Sequence, residues 1–240
     1  MNEVLTLEVA FNFGNAINKI YPVILKDEDD MILIDCGYPQ FLPLIKMAAE
    51  ARGLNLDKLT KIIITHHDFD HMGALAEFKS TYPNVSIISS YDDEKYISGK
   101  EKSLRLQQAE ALYDSLPEEQ KADAENFHNL LKSIIPVSVG FCVKDGDVFP
   151  WCGGTEIIST PGHMPGHISL YLKESKTLIA GDALVVENGK LCIANPNYTL
   201  DMAKAKMSIK KLLDYDIEKI ICYHGGVYTE NIKASLQKII

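Results

Sequence analysis

A dense group of metal-binding residue types lies in the first third of the chain, in the segment Thr65-His66-His67-Asp68-Phe69-Asp70-His71-Met72-Gly73. Three imidazoles and two carboxylates fall within six positions of this segment. Divalent metals bind the lone pairs of such side chains, and a cluster this dense is costly to bury without a partner. Taken alone, the segment also fits a solvated polar turn or a cap on a following helix.

Three later segments offer the same chemistry. They are Thr160-Pro161-Gly162-His163-Met164-Pro165-Gly166-His167, then Gly181-Asp182, then His224-Gly225-Gly226. Six of the seven histidines of the chain lie in these segments and the first one, and only His128 lies elsewhere. This distribution favours one shared metal site over scattered polar turns.

Short apolar runs precede these segments and are predicted to be strands. They are Lys61–Thr65, Thr155–Ser159, Thr177–Ala180 and Lys219–Ile221. Lys61–Thr65 is apolar on both faces, as in a strand that is covered on both sides. Four strand ends would thus each deliver a possible ligand to a rigid rim, where functional sites are often built.

Other elements follow from composition and periodicity. Phe11–Ala16 is predicted to be a loop, Ile17–Leu25 and Met31–Ile34 a strand pair, and Met202–Leu213 an amphipathic helix. Asp92 to Lys132 contains ten acidic and six basic residues and predicts two or three helices, broken near Leu116-Pro117. We therefore expect one domain over residues 1–240, with a helical insert at about 92–135.

The bulk composition disfavours some classes of partner. The formal net charge is −9, which disfavours a general binder of nucleic acid or of an anionic membrane. No apolar run approaches the ~18 residues of a membrane span, and the first residues lack the basic start of a signal peptide. Five cysteines without a CxxC pair are typical of a reducing compartment, so a cytoplasmic protein is expected.

The ordered series Asp35, HHDFDH, TPGHMPGH, GD and HGG resembles the five motifs of the metallo-β-lactamase superfamily. The resemblance covers most of the chain, from Asp35 to His224. It implies an α/β fold, a four-layer αβ/βα sandwich with the helical insert, and a site at one edge of the two sheets. It also implies two divalent metal ions.

By this resemblance His66, Asp68 and His163 would hold the first metal. The common family pattern has a histidine where Asp68 stands, so this site is richer in oxygen donors. A site with carboxylate oxygens, which are harder donors than imidazole, suits Fe or Mn better than an all-imidazole site does. Zn also accepts carboxylate and remains the first expectation. Asp68→His is expected to restore the common ligand set and keep the metal. If Asp68 does not bind, one metal at the second position remains.

Asp70, His71 and His224 would hold the second metal, and Asp182 would bridge the two. Asp35 would orient a ligand by hydrogen bonding. His167 is expected to brace the loop of His163 or to line the pocket, and His67 occupies a variable position of the motif.

The implied activity is hydrolysis of a small ester, lactone or thioester by a metal-bridging hydroxide. Asp70 and Asp182 are the catalytic candidates, and Asp70 would accept the proton of the attacking water. Val185 stands where similar lactonases carry a tyrosine, so Tyr198, Tyr223 and Tyr228 are the candidates for the acid that protonates the leaving group.

The substrate is expected to be a small molecule, and the oligomeric state stays open. The sixteen residues after His224 are too few for the glutathione-binding domain of glyoxalase-type thioesterases. The alternatives are a small-molecule phosphodiesterase, a di-iron redox protein acting with a separate partner, and a regulatory protein without the chemistry. The insert is either a lid over the pocket or a solvated decoration.

Overall fold

The structure is a computed structural model that describes residues 2–13 and 16–240. In chain order its strands are β1 Glu3–Thr6, β2 Val9–Phe13, β3 Ala16–Ile20, β4 Val23–Lys26, β5 Met31–Ile34, β6 Lys61–Ile63, β7 Ser86–Ser90, β8 Phe141–Val143, β9 Val148–Phe149, β10 Thr155–Ser159, β11 Ile168–Leu172, β12 Thr177–Gly181, β13 Leu184–Glu187, β14 Lys190–Ile193, β15 Lys219–Cys222 and β16 Gly226–Tyr228. The helices are α1 Leu42–Glu50, α2 Phe69–Met72, α3 Leu75–Thr81, α4 Glu94–Ile97, α5 Leu104–Tyr113, α6 Glu118–Lys132, α7 Met202–Leu212 and α8 Ile232–Ile239, with short 3-10 turns at Leu56–Lys58, Trp151–Gly153 and Pro196–Tyr198.

The described residues form two six-stranded sheets, in the strand orders β1-β4-β5-β6-β7-β8 and β16-β15-β12-β11-β10-β9. The pairs β5–β6, β6–β7 and β7–β8 are parallel, as is β12–β15. β5 and β12 are buried along their whole length, as the continuous apolar runs of strands covered on both faces require. Two small hairpins, β2–β3 and β13–β14, stand outside these sheets.

The two sheets pack face to face through a shared apolar cluster. Ile32, Ile63 and Ile88 of the first sheet join Ile157 and Leu170 of the second in this cluster. A second cluster packs the outer face of the first sheet against α1 and α3, and a third packs the outer face of the second sheet against α7 and α8. The order is thus helices, sheet, sheet, helices, and the predicted αβ/βα sandwich is confirmed.

The predicted pairing of the first run with Met31–Ile34 is confirmed, since β4 and β5 are antiparallel neighbours, but two local predictions are wrong. Ile17–Leu25 is divided into β3 and β4 at Tyr21-Pro22, because β3 pairs with β2 in a separate hairpin while β4 pairs with β1 and β5 in the main sheet. The predicted loop Phe11–Ala16 contains the end of β2 and the start of β3, and its residues 14 and 15 lie outside the described residues. Hairpin pairing outweighed the loop-like composition.

Helices α4, α5 and α6 occupy the segment predicted to be helical, and the break between α5 and α6 contains Leu116-Pro117, as expected. α5 and α6 pack against each other. Within residues 2–13 and 16–240, no helix combines the length and the apolar character needed to cross a membrane.

Candidate metal centre

Chain segments that follow strands of both sheets meet at one edge of the sandwich. Asp35 follows β5, and the loop from Ile64 to Asp68 follows β6. His163 lies between β10 and β11, Asp182 follows β12, and His224 follows β15. Because β5–β6 and β12–β15 are parallel pairs, their carboxyl ends point to the same edge, and polar side chains that follow them converge there.

Donor atoms of this edge form three groups among the residues that the structure describes, with the atoms of each group within 4.8 Å of one another. The groups are His66, Asp68, His163, then His66, His71, Asp182, then Asp70, His71, His224. They contain the seven residues that the sequence proposed as ligands. The side chain of His224 is the most exposed of these, with 34% of its surface accessible to solvent. The cluster is therefore open to solvent at His224.

The first group is centred on one carboxylate oxygen. Oδ2 of Asp68 lies 3.1 Å from Nε2 of His163 and 3.5 Å from Nε2 of His66. In the other outer group, Oδ2 of Asp70 lies 3.1 Å from Nε2 of His224 and 3.8 Å from Nε2 of His71. Each group therefore presents two imidazoles and one carboxylate at spacings that a single cation can span.

Asp182 lies between these two groups. Its Oδ1 is 3.4 Å from Nε2 of His71, and its Oδ2 is 3.7 Å from Nε2 of His163 and 3.6 Å from Nε2 of His224. One carboxylate thus reaches imidazoles of both groups, which is the geometry that a bridging ligand needs.

Several of these buried atoms lack a partner. Nε2 of His66, Nε2 of His71 and Oδ1 of Asp182 make no hydrogen bond within the described part of the chain. Buried polar atoms are almost always paired, and exceptions call for an explanation such as an absent ion. The donor set is imidazole and carboxylate, which Zn accepts, so the residues fit divalent metal ions.

The charges of the cluster follow from its packing. Burial alone would raise the pKa of Asp68, but the Arg105 guanidinium and the hydrogen bond with His163 hold it well below its usual range. Burial likewise opposes ionisation of Asp182, yet His224 and His71 keep its pKa well below the ordinary value. Both carboxylates are therefore anionic acceptors.

Asp35 fixes the orientation of His71. Its Oδ2 lies 2.8 Å from Nδ1 of His71, and its two oxygens accept hydrogen bonds from the backbone N–H and the hydroxyl of Thr65, each at 2.8 Å. Since the carboxylate accepts, Nδ1 of His71 carries a hydrogen, and in the neutral ring, the form that binds a metal, Nε2 turns a lone pair toward the cluster. Asp35 adopts a φ of 60°, in the left-handed region that Asp and Asn tolerate better than most residues.

His167 braces the start of the His163 loop and the backbone at Asp182, and it does not join the donor groups. Its Nε2 accepts the backbone N–H of Asp182 at 2.9 Å, so its Nδ1 carries the hydrogen and donates to the hydroxyl of Thr160 at 2.8 Å. The chain continues through Ser169 to the carbonyl of Ala180. Burial, and then the nearby His163, lower the pKa of His167 to about 3.

A cavity of about 480 Å³ opens beside the donor groups. Among its lining residues are five of the proposed ligands, namely Asp68, Asp70, His163, Asp182 and His224. Much of the remaining wall is apolar. Phe11, Tyr38, Phe69 and Phe127 form a continuous row, with neighbouring ring centres 5.1 to 5.5 Å apart.

The helical insert supplies part of this wall, through Arg105 of α5 and Phe127 and Leu130 of α6. Three other aromatic residues in or next to the insert do not line the cavity. Tyr91 is exposed, Tyr96 stacks on His67 with ring centres 4.3 Å apart, and the hydroxyl of Tyr113 donates to Glu125.

The three candidate tyrosines for the leaving-group proton occupy different surroundings. Tyr198 lines the cavity, as does Val185. The hydroxyl of Tyr223 is committed to the backbone carbonyl of Asp70 at 2.6 Å, and that of Tyr228 pairs with Ser235 at 2.7 Å. Tyr198 is thus the one candidate of the three that faces the cavity.

Two residues of the site were missed from sequence. Tyr38 lines the cavity, and burial together with the carboxylates of Asp70 and Asp182 raises the pKa of its hydroxyl. Arg105 is 2% exposed and pairs with Asp68. A signal existed for Arg105, because the sequence contains only two arginines among its 24 basic residues, and arginine is the usual partner of a buried carboxylate.

Comparison with known proteins agrees with this geometry. The probable metallo-hydrolase YflN of Bacillus subtilis is 30% identical over 246 residues, covering 93% of this chain and 86% of that protein. A hydroxyacylglutathione hydrolase of Brucella anthropi is 27% identical over 213 residues, which cover 88% of this chain but only 62% of that enzyme.

Solved structures share the fold. A metallo-β-lactamase family protein from Thermus thermophilus superposes with a TM-score of 0.74 at 20% identity, covering 98% of this chain and 77% of that one. An archaeal metallo-β-lactamase superfamily protein from Sulfolobus tokodaii gives 0.70 at 19% identity, covering 99% and 86%. Residues 20–224 match the family described as the metallo-beta-lactamase superfamily, and the chain therefore belongs to that superfamily.

Proposed function

We propose that this protein is a hydrolase that holds two divalent metal ions, Zn in the first place, and cleaves a small apolar ester, lactone or thioester. The observation that carries the proposal is the opening of the overlapping donor groups onto a largely apolar cavity. The relatives support it, since one is named a metallo-hydrolase and another hydrolyses a glutathione thioester by its name.

His66, Asp68 and His163 would hold one ion, Asp70, His71 and His224 the other, with Asp182 shared. When bound, the ions would activate water and polarise the carbonyl of the substrate. Asp70 would bind a metal ion and also lines the cavity. It can therefore accept the proton of the attacking water. Asp182 keeps its charge and holds the two positions together.

The hydroxyl of Tyr38 stays protonated at neutral pH because its pKa is raised. It lines the same cavity as Asp70 and Asp182, which places a hydrogen-bond donor near the reacting groups. Tyr38 can therefore donate a hydrogen bond to the leaving oxygen, and it joins Tyr198, Tyr223 and Tyr228, which the sequence offered, as a candidate at this step.

The cavity favours neutral substrates. Of the described residues that line it, Arg105 is the sole Lys or Arg side chain, and its charge is already paired with Asp68. A phosphodiester would therefore find no free basic side chain to bind its charge. The aromatic row suits an apolar acyl group, because such surfaces gain free energy by removing apolar area from water.

The test combines metal analysis with a panel of ester, lactone, thioester and phosphodiester substrates. We expect close to two divalent ions per chain, and His71→Ala and Asp182→Ala should each lower turnover by roughly 100-fold or more. His128→Gln is the matched control, since His128 lies in α6 outside the cluster, and it should keep wild-type turnover.

Wild-type rates in both cluster variants would refute the mechanism. Near-stoichiometric iron with a visible absorption band and no hydrolysis would favour the redox alternative. A purified protein without metal, and unable to bind any, would favour a regulatory role.

A further inference from the structure

Arg105 connects the helical insert to the donor cluster. It lies in the first turn of α5 and its side chain is 3% exposed. Its Nε donates to Oδ1 of Asp68 at 3.0 Å and its Nη2 donates to Oδ2 at 2.6 Å. This two-point contact is the strongest geometry that an arginine and a carboxylate can form.

The remaining contacts of Arg105 leave it little freedom to bind substrate. Nη1 donates to Oε1 of Gln108 at 2.6 Å, and Nη2 also donates to the backbone carbonyl of Tyr198 at 2.8 Å. The guanidinium carbon lies 5.5 Å from the centre of the Tyr198 ring. Arg105 is therefore held from three directions and acts on the site through Asp68.

The contact does not remove Asp68 from the cluster. The same Oδ2 that accepts from Arg105 faces the imidazoles of His163 and His66, and a carboxylate oxygen has lone pairs for more than one partner. A metal ion at this position would share Asp68 with a fixed positive charge.

The two outer donor groups consequently differ in charge. His66, Asp68 and His163 sum to zero once Arg105 is counted, because the guanidinium cancels the carboxylate. With both imidazoles neutral, as metal binding requires, Asp70, His71 and His224 retain one negative charge, since no Lys or Arg within the described residues forms an ion pair with Asp70. Asp182 adds its charge to both groups alike.

We propose that Arg105 is a positioning residue that makes the two metal positions unequal, so that the position at Asp70 fills first and the position at Asp68 binds more weakly. Charge repulsion from the guanidinium lowers the affinity of the Asp68 position. The two-point contact opposes this by orienting the carboxylate, a kind of support whose loss typically costs 10–100-fold in affinity. The charge effect outweighs the support, because the guanidinium contacts the ligand carboxylate and both side chains are buried. The inference rests on the proposed metal centre.

The experiment is a titration of the metal-free protein with Co²⁺, followed by visible absorption and calorimetry. The wild type should show two phases whose dissociation constants differ by at least about 10-fold. Asp68→Asn should remove the weak phase, and His224→Gln should weaken the tight one. These two variants assign the phases to their positions.

Variants at Arg105 separate charge from orientation. Arg105→Met removes both and should lower the dissociation constant of the weak phase by about 10-fold or more. The metal-free variant should unfold at a lower temperature than wild type, because Asp68 is left unpaired. Arg105→Lys keeps the charge, loses the two-point contact and should keep two unequal phases. If both variants weaken the phase assigned to Asp68, orientation dominates and the proposal is wrong.

A double variant gives an independent check and revises the expectation for Asp68→His. An imidazole at position 68 would leave Arg105 buried and unpaired beside the metal, so Asp68→His alone should weaken the phase further. Asp68→His combined with Arg105→Met should restore it to within about 3-fold of wild type. Additive losses in the double variant would overturn the charge argument.

Substrate is not needed for these measurements, so the two proposals fail separately. If the protein binds two ions with unequal dissociation constants but hydrolyses no substrate, the proposed function is refuted and the role of Arg105 stands. If the protein hydrolyses substrate but binds its two ions with equal affinity, and Arg105→Met does not change this, the role of Arg105 is refuted and the proposed function stands.

Discussion

Replacing His167 with glutamine tests whether this buried imidazole makes the stability of the metal-free protein sensitive to acid. His167 accepts the N–H of Asp182 through Nε2 and donates to Thr160 through Nδ1. A glutamine side chain has one acceptor and one donor group that can take over these two bonds, but it does not titrate. His167→Gln therefore preserves the connection and removes the ionisation.

The size of the effect follows from the difference in pKa between the folded and unfolded states. The unfolded value is 6.5 and the folded value is about 3. A histidine whose pKa is lowered by folding takes up a proton more readily when unfolded, so stability is lost as pH falls below 6.5 toward the folded pKa. At about pH 5 the loss is about 2 kcal/mol, from 1.36 kcal/mol for each unit of pH below the unfolded pKa.

The assay is urea unfolding of metal-free wild type and His167→Gln at about pH 7.5 and pH 5. Other groups also titrate in this range. Burial and the neighbouring His71 lower the pKa of His66, which acts in the same direction, whereas nearby carboxylates raise the pKa of His71 against the effect of burial. These groups are common to both proteins and largely cancel in the difference. Wild type should lose about 2 kcal/mol more than the variant, and equal losses would refute the reasoning.

Two further variants probe packing and proton donation. Gly162→Ala should lower the free energy of unfolding by about 2–4 kcal/mol, since the new Cβ would lie 2.3 Å from the backbone nitrogen of Ala205 at a φ of +141°. In urea unfolding, Gly146→Ala is its control, because Gly146 also has a positive φ, of +80°, but open space around it, and an equal loss in both would contradict the packing argument. Tyr38→Phe should lower turnover by about 100-fold with metal content unchanged, and wild-type turnover would exclude Tyr38 as the donor.

Residues at strand ends were predictable from sequence because both parts of the signal are local. An apolar run such as Lys61–Thr65 followed directly by imidazoles and carboxylates places those side chains on a rim, whatever the rest of the chain does. His167 was expected to brace the loop of His163 or to line the pocket; it hydrogen-bonds Thr160 at the start of that loop and also the residue that follows β12. That contact depends on how β11 and β12 pair and is not visible in the spacing.

Arg105 and the hairpin β2–β3 were not predictable for a different reason. The helices of the insert are set by local composition, but their placement depends on contacts between residues far apart in the chain. Arg105 is 37 residues from Asp68. Nothing in the amphipathic pattern of α5 distinguishes this buried side chain from a solvated one, and arginine usage in the whole chain was the remaining clue.

The left-handed backbone at Asp35 has a consequence for attempts to redesign this enzyme. Asparagine would keep the turn and lose the anion that orients His71, while glutamate would keep the anion and strain the turn. Two independent demands on one position leave almost no acceptable replacement. Libraries that aim at new substrates should hold residue 35 constant and vary the aromatic row of the cavity. Loss of a side chain there alters the shape of the cavity without disturbing the donor groups.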